Sequence, residues 1–214
     1  MNKEKKINEF LNKENPTNKD ILEVAEILTE ETNPVATSDK HNFTAPLQLA
    51  CANNDFRPAL YCVHFLNGYA YASDGHILAK QSLELHTILN PEKLNGKGIN
   101  KDSFKQILQF KIVEAHDDHI LCIDEGRRAK FMYFKGAAAP NFEAVIPTGE
   151  TLPVHYFGIN PKYLTVAGKI LHGSNNGVKM TFKGNNKACI LTTEEYKEEQ
   201  LVLIMPMILE PVLF

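Results

Sequence analysis

The stretch YASDGHILAK at residues 71–80 places Asp74, Gly75 and His76 in a row between two apolar runs. A carboxylate beside an imidazole could supply a general acid and a general base. Such a site also needs a nucleophile and a group that orients the base, and the sequence points to neither. Asp74 can instead accept hydrogen bonds from turn amides, with Gly75 at positive φ. The residue types favour a turn, and an enzyme of unknown type at Asp74 and His76 stays open as an alternative.

Metal binding is a second chemistry that the residue types allow. The HDDH stretch at 116–119 supplies imidazoles and carboxylates, but it falls in a predicted tight turn and has no further ligands nearby. The cysteines stand among apolar neighbours, without metal-ligand spacing, and are expected to be buried thiols in a reducing compartment. They are Cys51, Cys62, Cys122 and Cys189. We therefore expect neither a metal nor another cofactor.

Composition excludes few classes of protein. The chain has 214 residues, of which 43% are hydrophobic and 23% charged, as in soluble globular proteins. A net charge of −3 gives no overall attraction to nucleic acid or membrane. No apolar run approaches the roughly 20 residues of a membrane span, and the first residues lack a signal-peptide core. We expect a cytoplasmic protein.

The elements that position these residues begin after residue 42. Residues 1–42 are rich in Lys, Glu and Asn, and 18–31 carry a near-helical apolar stripe that predicts a short amphipathic helix before a linker. From residue 43 onward the composition and the patterning of the sequence change. The segment 43–53 is expected to form a short helix or a strand leading into one, and Asn67-Gly68 predicts a hairpin.

An internal repeat organises the rest. Helices are predicted over 99–110 and 159–171, sixty residues apart, and each is followed by three strand candidates. Between strands of the first set, the GRR of residues 126–128 is expected to be an exposed hairpin turn rather than a nucleic-acid contact. The block at 43–88 is a third, more divergent copy. Because one helix and a small antiparallel sheet cannot bury their apolar faces alone, the copies must pack together.

Three motifs in this order resemble the bacterial DNA polymerase sliding clamp, the β processivity subunit: ASDGHILA at 72–79, APNFEAVIP at 139–147 and LVLIMPMIL at 201–209. In that family, similar stretches end the first half of the middle domain, the whole middle domain and the protein. The resemblance implies an α+β, DNA-clamp-like fold built of repeated helix-plus-antiparallel-sheet units.

The same resemblance implies a domain division. Residues 1–42 would be an N-terminal helical extension and linker, 43–148 a clamp-like domain, and 149–214 a clamp-like half-domain with a C-terminal tail. The chain differs from the family in length, since the family has three full domains and this chain has about one and a half. It also has Ile77 and Ile208 where the family motifs carry arginine.

The resemblance implies a hydrophobic inter-domain cleft that takes short peptides from polymerases and repair proteins. The matching positions are Ser73, Gly75, His76, Leu78, Pro147, Ile204, Met205, Pro206 and Met207. Methionine and leucine suit an adaptable groove in which an extended peptide lays alternate side chains. With both motif arginines absent, the rim should be more apolar. The alternative is that the MPM residues belong to a buried final strand.

A second implied surface is the helix face that lines the clamp channel. Lys101 and Lys105 share a face of the first predicted helix, and Lys162 and Lys169 share a face of the second. Such lysines would hold duplex DNA loosely and without sequence preference. The alternative is that both are ordinary solvated helix faces, and Asp102 stands close to Lys101.

The chain ends LEPVLF, and peptides that bind clamps of this family often end in a leucine-phenylalanine pair. Leu213 and Phe214 could therefore enter a clamp cleft, or the tail could pack on its own domain.

The function that follows is a non-enzymatic sliding-clamp-like processivity factor or clamp homologue. It would bind DNA polymerase or other clamp-binding proteins through short peptides, and could encircle duplex DNA. One and a half domains cannot close a ring alone, so we expect a homo-oligomer. The alternative is a peptide-binding adaptor or decoy of mobile-element origin that does not bind DNA.

Overall fold

The computed structural model describes Asn12 and residues 43–53, 56–136, 138–154, 156–184 and 186–207. From residue 43 onward these belong to one compact unit, Asp39–Phe214. The predicted helix and linker of residues 1–42, Ile208 and the tail residues Leu213 and Phe214 lie outside the described residues.

The first unit is a three-stranded antiparallel meander of β1 (Cys62–Leu66), β2 (Tyr69–Ser73) and β3 (Ile77–Ser82). The predicted hairpin turn is confirmed, since Asn67 and Gly68 both adopt positive φ, 51° and 81°. Before the meander, the predicted helix or strand is a short 3-10 turn over Leu47–Ala50, because one turn is enough to bury its Leu47 and Ala50.

The second unit begins with β4 (Lys97–Asn100) and α1 (Lys101–Ile107). Asn100 caps the helix, since its side chain accepts a hydrogen bond from the Ser103 amide (2.8 Å). The predicted strands follow as β5 (Ile112–Ala115), β6 (His119–Asp124) and β7 (Arg127–Met132), which form a separate three-stranded sheet.

The third unit repeats this order. It comprises α2 (Pro161–Ile170), β8 (Lys179–Thr181), β9 (Cys189–Thr192) and β10 (Gln200–Ile204). Pro161 occupies the first helical turn, where its missing amide hydrogen costs nothing. The predicted repeat is thus present in the described residues, as three antiparallel meanders that each follow a helical segment.

The first and third units join edge to edge. Together with β4 of the second unit, their strands form one seven-stranded sheet in the order β4-β1-β2-β3-β10-β9-β8, in which the third strands of the two meanders pair antiparallel. Ile77 lies opposite Ile204 and Leu78 opposite Leu203. One strand pairing therefore connects segments more than a hundred residues apart.

The main buried core, one of two buried clusters in the described residues, lies between the sheets and the helices. It runs from Phe43 and Phe104 to Ile170 and Ile204, and the turn at Leu47–Ala50 contacts both helices. The sheet and the core both continue across residue 148, so the division at 148/149 stays a prediction about how the chain corresponds to clamp domains.

In the described part of the chain, no helix is long and apolar enough to span a membrane.

Candidate peptide-binding cleft

Alternation along β3 and β10 gives the seven-stranded sheet two apolar faces. Ile77 and Ile204 point into the main core on the helix side. Leu78 and Leu203 point to the opposite face, where they pack with Phe142. Because successive side chains of a strand face opposite ways, a single residue step decides which side chains can reach a ligand on the outer face.

A pocket of about 230 Å³ opens on this outer face. One side is the turn that joins β2 to β3, and the other is the segment of residues 140–147, called the wall segment below. We call this space the β3–β10 pocket. It is lined by Leu60, Ser73, Gly75, His76, Ile77, Leu78, Pro140, Asn141, Phe142, Val145, Leu203 and Met205.

Hydrogen bonds between side chains and the backbone shape the turn beneath the pocket. The Asp74 Oδ1 atom accepts from the amides of His76 (2.8 Å) and Ile77 (3.0 Å), as predicted for a turn aspartate. The Ser73 hydroxyl donates to the Ile77 carbonyl (2.7 Å) and accepts from the Gly75 amide (3.0 Å). Gly75 has a φ of 94°, which a residue with a side chain rarely adopts.

The other carboxylate oxygen of Asp74 contacts α2. Its Oδ2 accepts a hydrogen bond from the Tyr163 hydroxyl (3.0 Å), and the rings of His76 and Tyr163 stack 6.3 Å apart. Burial and the hydrogen bond to Asp74 raise the pKa of Tyr163 to about 12, so the tyrosine keeps its proton. Both oxygens of Asp74 therefore hold structure together, which argues against the enzymatic alternative at this turn.

The structure brings together five of the residues predicted for the cleft: Ser73, Gly75, His76, Leu78 and Met205. It does not bring Ile204, whose side chain lies on the core face, and Leu203 lines the pocket instead. The motif predicts Ile204 together with Met205, Pro206 and Met207, and a role of Ile204 in a peptide site stays a prediction.

Three further predicted residues do not line the pocket. Pro147, at the end of the wall segment, and Pro206, next to Met205, are both half-buried. The Met207 amide donates to the Gly158 carbonyl (2.9 Å), so the backbone of this residue pairs with a segment outside the pocket lining. Strand β10 ends at Ile204, and Met205 and Met207 are 44% and 49% exposed, so the alternative that MPM lies in a buried final strand is wrong.

Sequence reasoning missed Leu60, Phe142 and Val145. Phe142 and Val145 belong to the APNFEAVIP stretch, whose apolar residues could have been assigned to the pocket, whereas nothing in the sequence marks Leu60. Arg57 was missed as well. Its Nη1 atom lies 3.5 Å from the position of a Cβ on Gly75, so a guanidinium flanks the pocket. The rim is therefore less apolar than the loss of the motif arginines predicted.

The predicted DNA-facing lysines are not equivalent. Lys101 donates to the side chain of Asn53 (2.8 Å) and to the carbonyl of Ala52 (3.2 Å). The other predicted lysines are exposed on helices that pack against the core side of the large sheet, and Lys162 adjoins Tyr163, whose ring stacks on His76 of the pocket. They are Lys105 on α1 and Lys162 and Lys169 on α2.

The remaining polar motifs form local contacts. In the HDDH stretch the rings of His116 and His119 stack 4.6 Å apart, and His119 contacts Asp118 (2.5 Å). Arg127 pairs with Asp124 (2.8 Å) at the GRR turn. Within the described residues, no group of three His, Cys, Asp or Glu side chains is arranged to hold a metal ion. All four cysteines are buried and free, and burial raises the pKa of each thiol.

Solved structures share this architecture. A DNA polymerase sliding clamp from Pseudomonas aeruginosa, crystallised with a ligand, matches with a TM-score of 0.56 and 16% identity over 84% of this chain and 69% of its own. The sliding clamp from Bacillus subtilis matches with a TM-score of 0.59 and 13% identity over 84% of this chain and 68% of its own. The chain has the sliding-clamp fold. The beta chain of DNA polymerase III from Streptococcus pneumoniae gives a TM-score of 0.55 at 16% identity, over 85% of this chain and 68% of its own.

These matches confirm the resemblance that the three motifs indicated, at the level of the fold. They also confirm its shortened and divergent character, since the chain spans about two thirds of each clamp at low identity. No protein-family model and no curated protein matches the sequence.

Proposed function

We propose that this chain is a non-catalytic sliding-clamp homologue that binds short, extended peptides of polymerases or other clamp-binding proteins in the β3–β10 pocket. The observation that carries the proposal is the joint placement of the DGH turn and Met205 around one apolar pocket on a sliding-clamp fold. Leu78, Leu203 and Met205 offer apolar surface that adapts to different side chains. Arg57 adds a cation at the rim that can pair with an acidic group of the peptide.

The absence of catalysis belongs to the same proposal. The pocket is lined mostly by apolar side chains, and the only carboxylate of its turn, Asp74, is held by two backbone amides and by Tyr163. A pocket of this kind supplies shape and apolar contact rather than acid–base chemistry. The chain would act in the cytoplasm as a binding module.

We further propose that the protein acts on duplex DNA as an oligomer. Lys105, Lys162 and Lys169 present three cations on the helix layer, which suits contact with phosphates but carries no sequence information. A chain of about two thirds of a clamp's length needs further copies to surround a duplex. Light scattering on the full chain at several concentrations tests this: a multimer of constant mass supports the ring, whereas a monomer throughout removes it.

The adaptor or decoy function is the second candidate, and one observation favours it. Lys101, the first predicted DNA contact, is bound to Ala52 and Asn53, and Asp102 adds a negative charge on the same helix. The helix layer is then less basic than the sequence predicted. This candidate retains peptide binding and predicts no salt-dependent affinity for DNA.

A titration tests the peptide site. A fluorescein-labelled peptide ending in Leu-Phe is added to the full chain, and its anisotropy is followed. Met205→Glu, which puts a charge into the pocket, should weaken binding about tenfold or more. Met180→Glu is the matched control, because Met180 is an exposed methionine on β8 (41% exposed) that does not line the pocket. Equal affinities of both variants and the wild type would reject the site.

A further inference from the structure

The wall segment is held on the sheet by side chains rather than by backbone pairing. Its backbone hydrogen bonds are local: the Phe142 amide donates to the Pro140 carbonyl (2.9 Å), and the amides of Val145 and Ile146 donate to Phe142 (3.3 Å) and Glu143 (3.2 Å). Among the described residues, no backbone hydrogen bond joins 140–147 to a strand. The position of the wall therefore depends on the few side chains that anchor it.

Phe142 is the first anchor and also lines the pocket. Its side chain is buried, and its ring stacks on Tyr71 with a centroid distance of 5.2 Å and an interplanar angle of 5°. The ring of His64 lies 5.6 Å away on a tilted plane. Any shift of the wall segment moves this ring, and so changes the shape of the β3–β10 pocket.

Glu143 is the second anchor and does not line the pocket. Its Oε1 atom accepts hydrogen bonds from the Tyr71 hydroxyl (2.5 Å) and from the Lys80 ammonium (2.7 Å). Lys80 is only 17% exposed and lies 4.2 Å from the centre of the Tyr69 ring. Tyr71 and Lys80 are register partners on β2 and β3, so one cross-strand pair holds the carboxylate.

Charge and packing reinforce each other at Tyr71. Partial burial opposes the charge of Glu143, but the hydrogen bonds from Lys80 and Tyr71 outweigh it and lower the pKa of the carboxyl. Burial and the same hydrogen bond raise the pKa of Tyr71, so the proton stays on the tyrosine. The neighbouring residues Phe142 and Glu143 thus use two parts of one side chain, the ring and the hydroxyl of Tyr71.

We propose that Glu143 is a positioning residue of the β3–β10 pocket, which holds the wall segment closed through Lys80 and Tyr71. The restraint on the wall segment does not depend on the proposed function. Its consequence does, which is that the wall segment sets how long a peptide stays bound in the pocket. With the carboxylate removed, Phe142 keeps its stacking partner but loses the neighbouring restraint. The wall then opens more often, and a bound peptide leaves faster.

Hydrogen exchange on the full chain tests the restraint without any ligand. In Glu143→Ala, the amides of residues 141–146, between the two prolines of the wall segment, should exchange about tenfold faster or more, because two charge-assisted hydrogen bonds are lost. Tyr71→Phe, which keeps the ring and removes the hydroxyl, should act in the same direction. In the double variant Glu143→Ala/Tyr71→Phe, exchange should be slower than two independent effects would give. Both substitutions remove the same hydrogen bond, between the Tyr71 hydroxyl and the Glu143 carboxylate. The matched control is Glu150→Ala, at an exposed glutamate outside the wall segment.

The outcomes separate this inference from the proposed function. Exchange of residues 141–146 that is the same in Glu143→Ala, Glu150→Ala and the wild type overturns the inference. If exchange accelerates and the wild type binds the Leu-Phe peptide, the peptide should dissociate about tenfold faster from Glu143→Ala, with a smaller change in the association rate. An unchanged dissociation rate overturns the positioning role. If exchange accelerates and the wild type binds no such peptide, the restraint is supported and the proposed function fails.

Discussion

Gln81 of β3 and Gln200 of β10 are register partners whose side chains hydrogen-bond to each other (3.2 Å) in the buried core. The Gln81 amide also donates to the Ile170 carbonyl at the end of α2 (2.8 Å). The side-chain amide of Gln200 donates a hydrogen bond to the His172 carbonyl (2.8 Å) and accepts one from the His172 backbone amide (2.9 Å). The strand pair that unites the first and third units thus also fixes the end of α2, and so the helix that carries Tyr163.

This junction should be sensitive to loss of either amide. Gln200→Leu keeps the volume of the side chain but removes the acceptor of the His172 amide and, among the described residues, leaves the His172 carbonyl with the Thr193 hydroxyl as its donor (2.9 Å). We expect the free energy of unfolding to fall by about 1–3 kcal/mol. Urea denaturation measures it, and Gln106→Leu on the exposed face of α1 is the control. A Gln200→Leu variant as stable as the control would show that the network contributes little.

Acid should destabilise the same region through two histidines. Burial and the neighbouring His172 lower the pKa of His86 to about 3, and burial lowers that of His172. The folded chain therefore binds fewer protons than the unfolded chain, whose histidines titrate near pH 6.5. Their contribution is fully present above about pH 6.5 and is lost as the pH falls toward 3, by up to about 1.4 kcal/mol per pH unit for His86.

Urea midpoints between pH 7.5 and pH 5 measure this effect. Stability should fall across that range, and His172→Gln should flatten part of the slope. The hydroxyl of Thr44 contacts both histidines: it lies 2.9 Å from the His172 Nε2 atom and 3.1 Å from the His86 Nδ1 atom. Stability that stays level or rises toward pH 5 would contradict the assignment of neutral histidines.

The helix lysines make a separate prediction about DNA. Replacing Lys105, Lys162 and Lys169 by glutamate should abolish duplex binding at low salt, and the wild-type affinity should fall steeply with salt. The control replaces three exposed lysines away from the helix layer: Lys135, Lys179 and Lys187. Net charge changes equally in both triple variants, so equal losses of duplex affinity would point to non-specific attraction. If the wild type does not bind duplex DNA, the adaptor function is favoured.

The tail makes a prediction that concerns residues beyond the described range. If Leu213 and Phe214 enter the β3–β10 pocket, deletion of residues 210–214 should raise the affinity for the Leu-Phe peptide, because an internal competitor is removed. If they enter the pocket of another copy, the deletion should also lower the mass in solution. Unchanged peptide affinity together with unchanged mass would contradict both forms of the hypothesis.

Local chemistry made much of the fold predictable. Asn67-Gly68 predicts the hairpin because both residues accept positive φ, and Asn100 and Pro161 mark the starts of the two helices. Pairing between β3 and β10 was not predictable, because nothing in either strand specifies a partner so distant in the chain. The same gap left Leu203 unpredicted, because the side chains of β10 that face the pocket are fixed only by the neighbours of this strand in the sheet.

The candidate site was predicted in part for the same reason. The turn residues Ser73, Gly75 and His76 carry a motif, and their hydrogen bonds are local. Leu60 and Arg57 reach the pocket through the tertiary fold alone. Glu143 was not predicted because its role depends on Lys80 and Tyr71, which come from two strands distant from it in the chain.

The most direct test of the central claim is to find where a peptide binds. The Leu-Phe peptide is synthesised with a photoreactive benzoyl group on its terminal phenylalanine, irradiated with the full chain, and the cross-linked residues are identified by mass spectrometry. We expect cross-links to Phe142, Met205 and the turn at residues 73–78, reduced by Met205→Glu and unaffected by Met180→Glu. Cross-links that fall elsewhere, or that persist unchanged in Met205→Glu, would contradict the β3–β10 pocket as the peptide site.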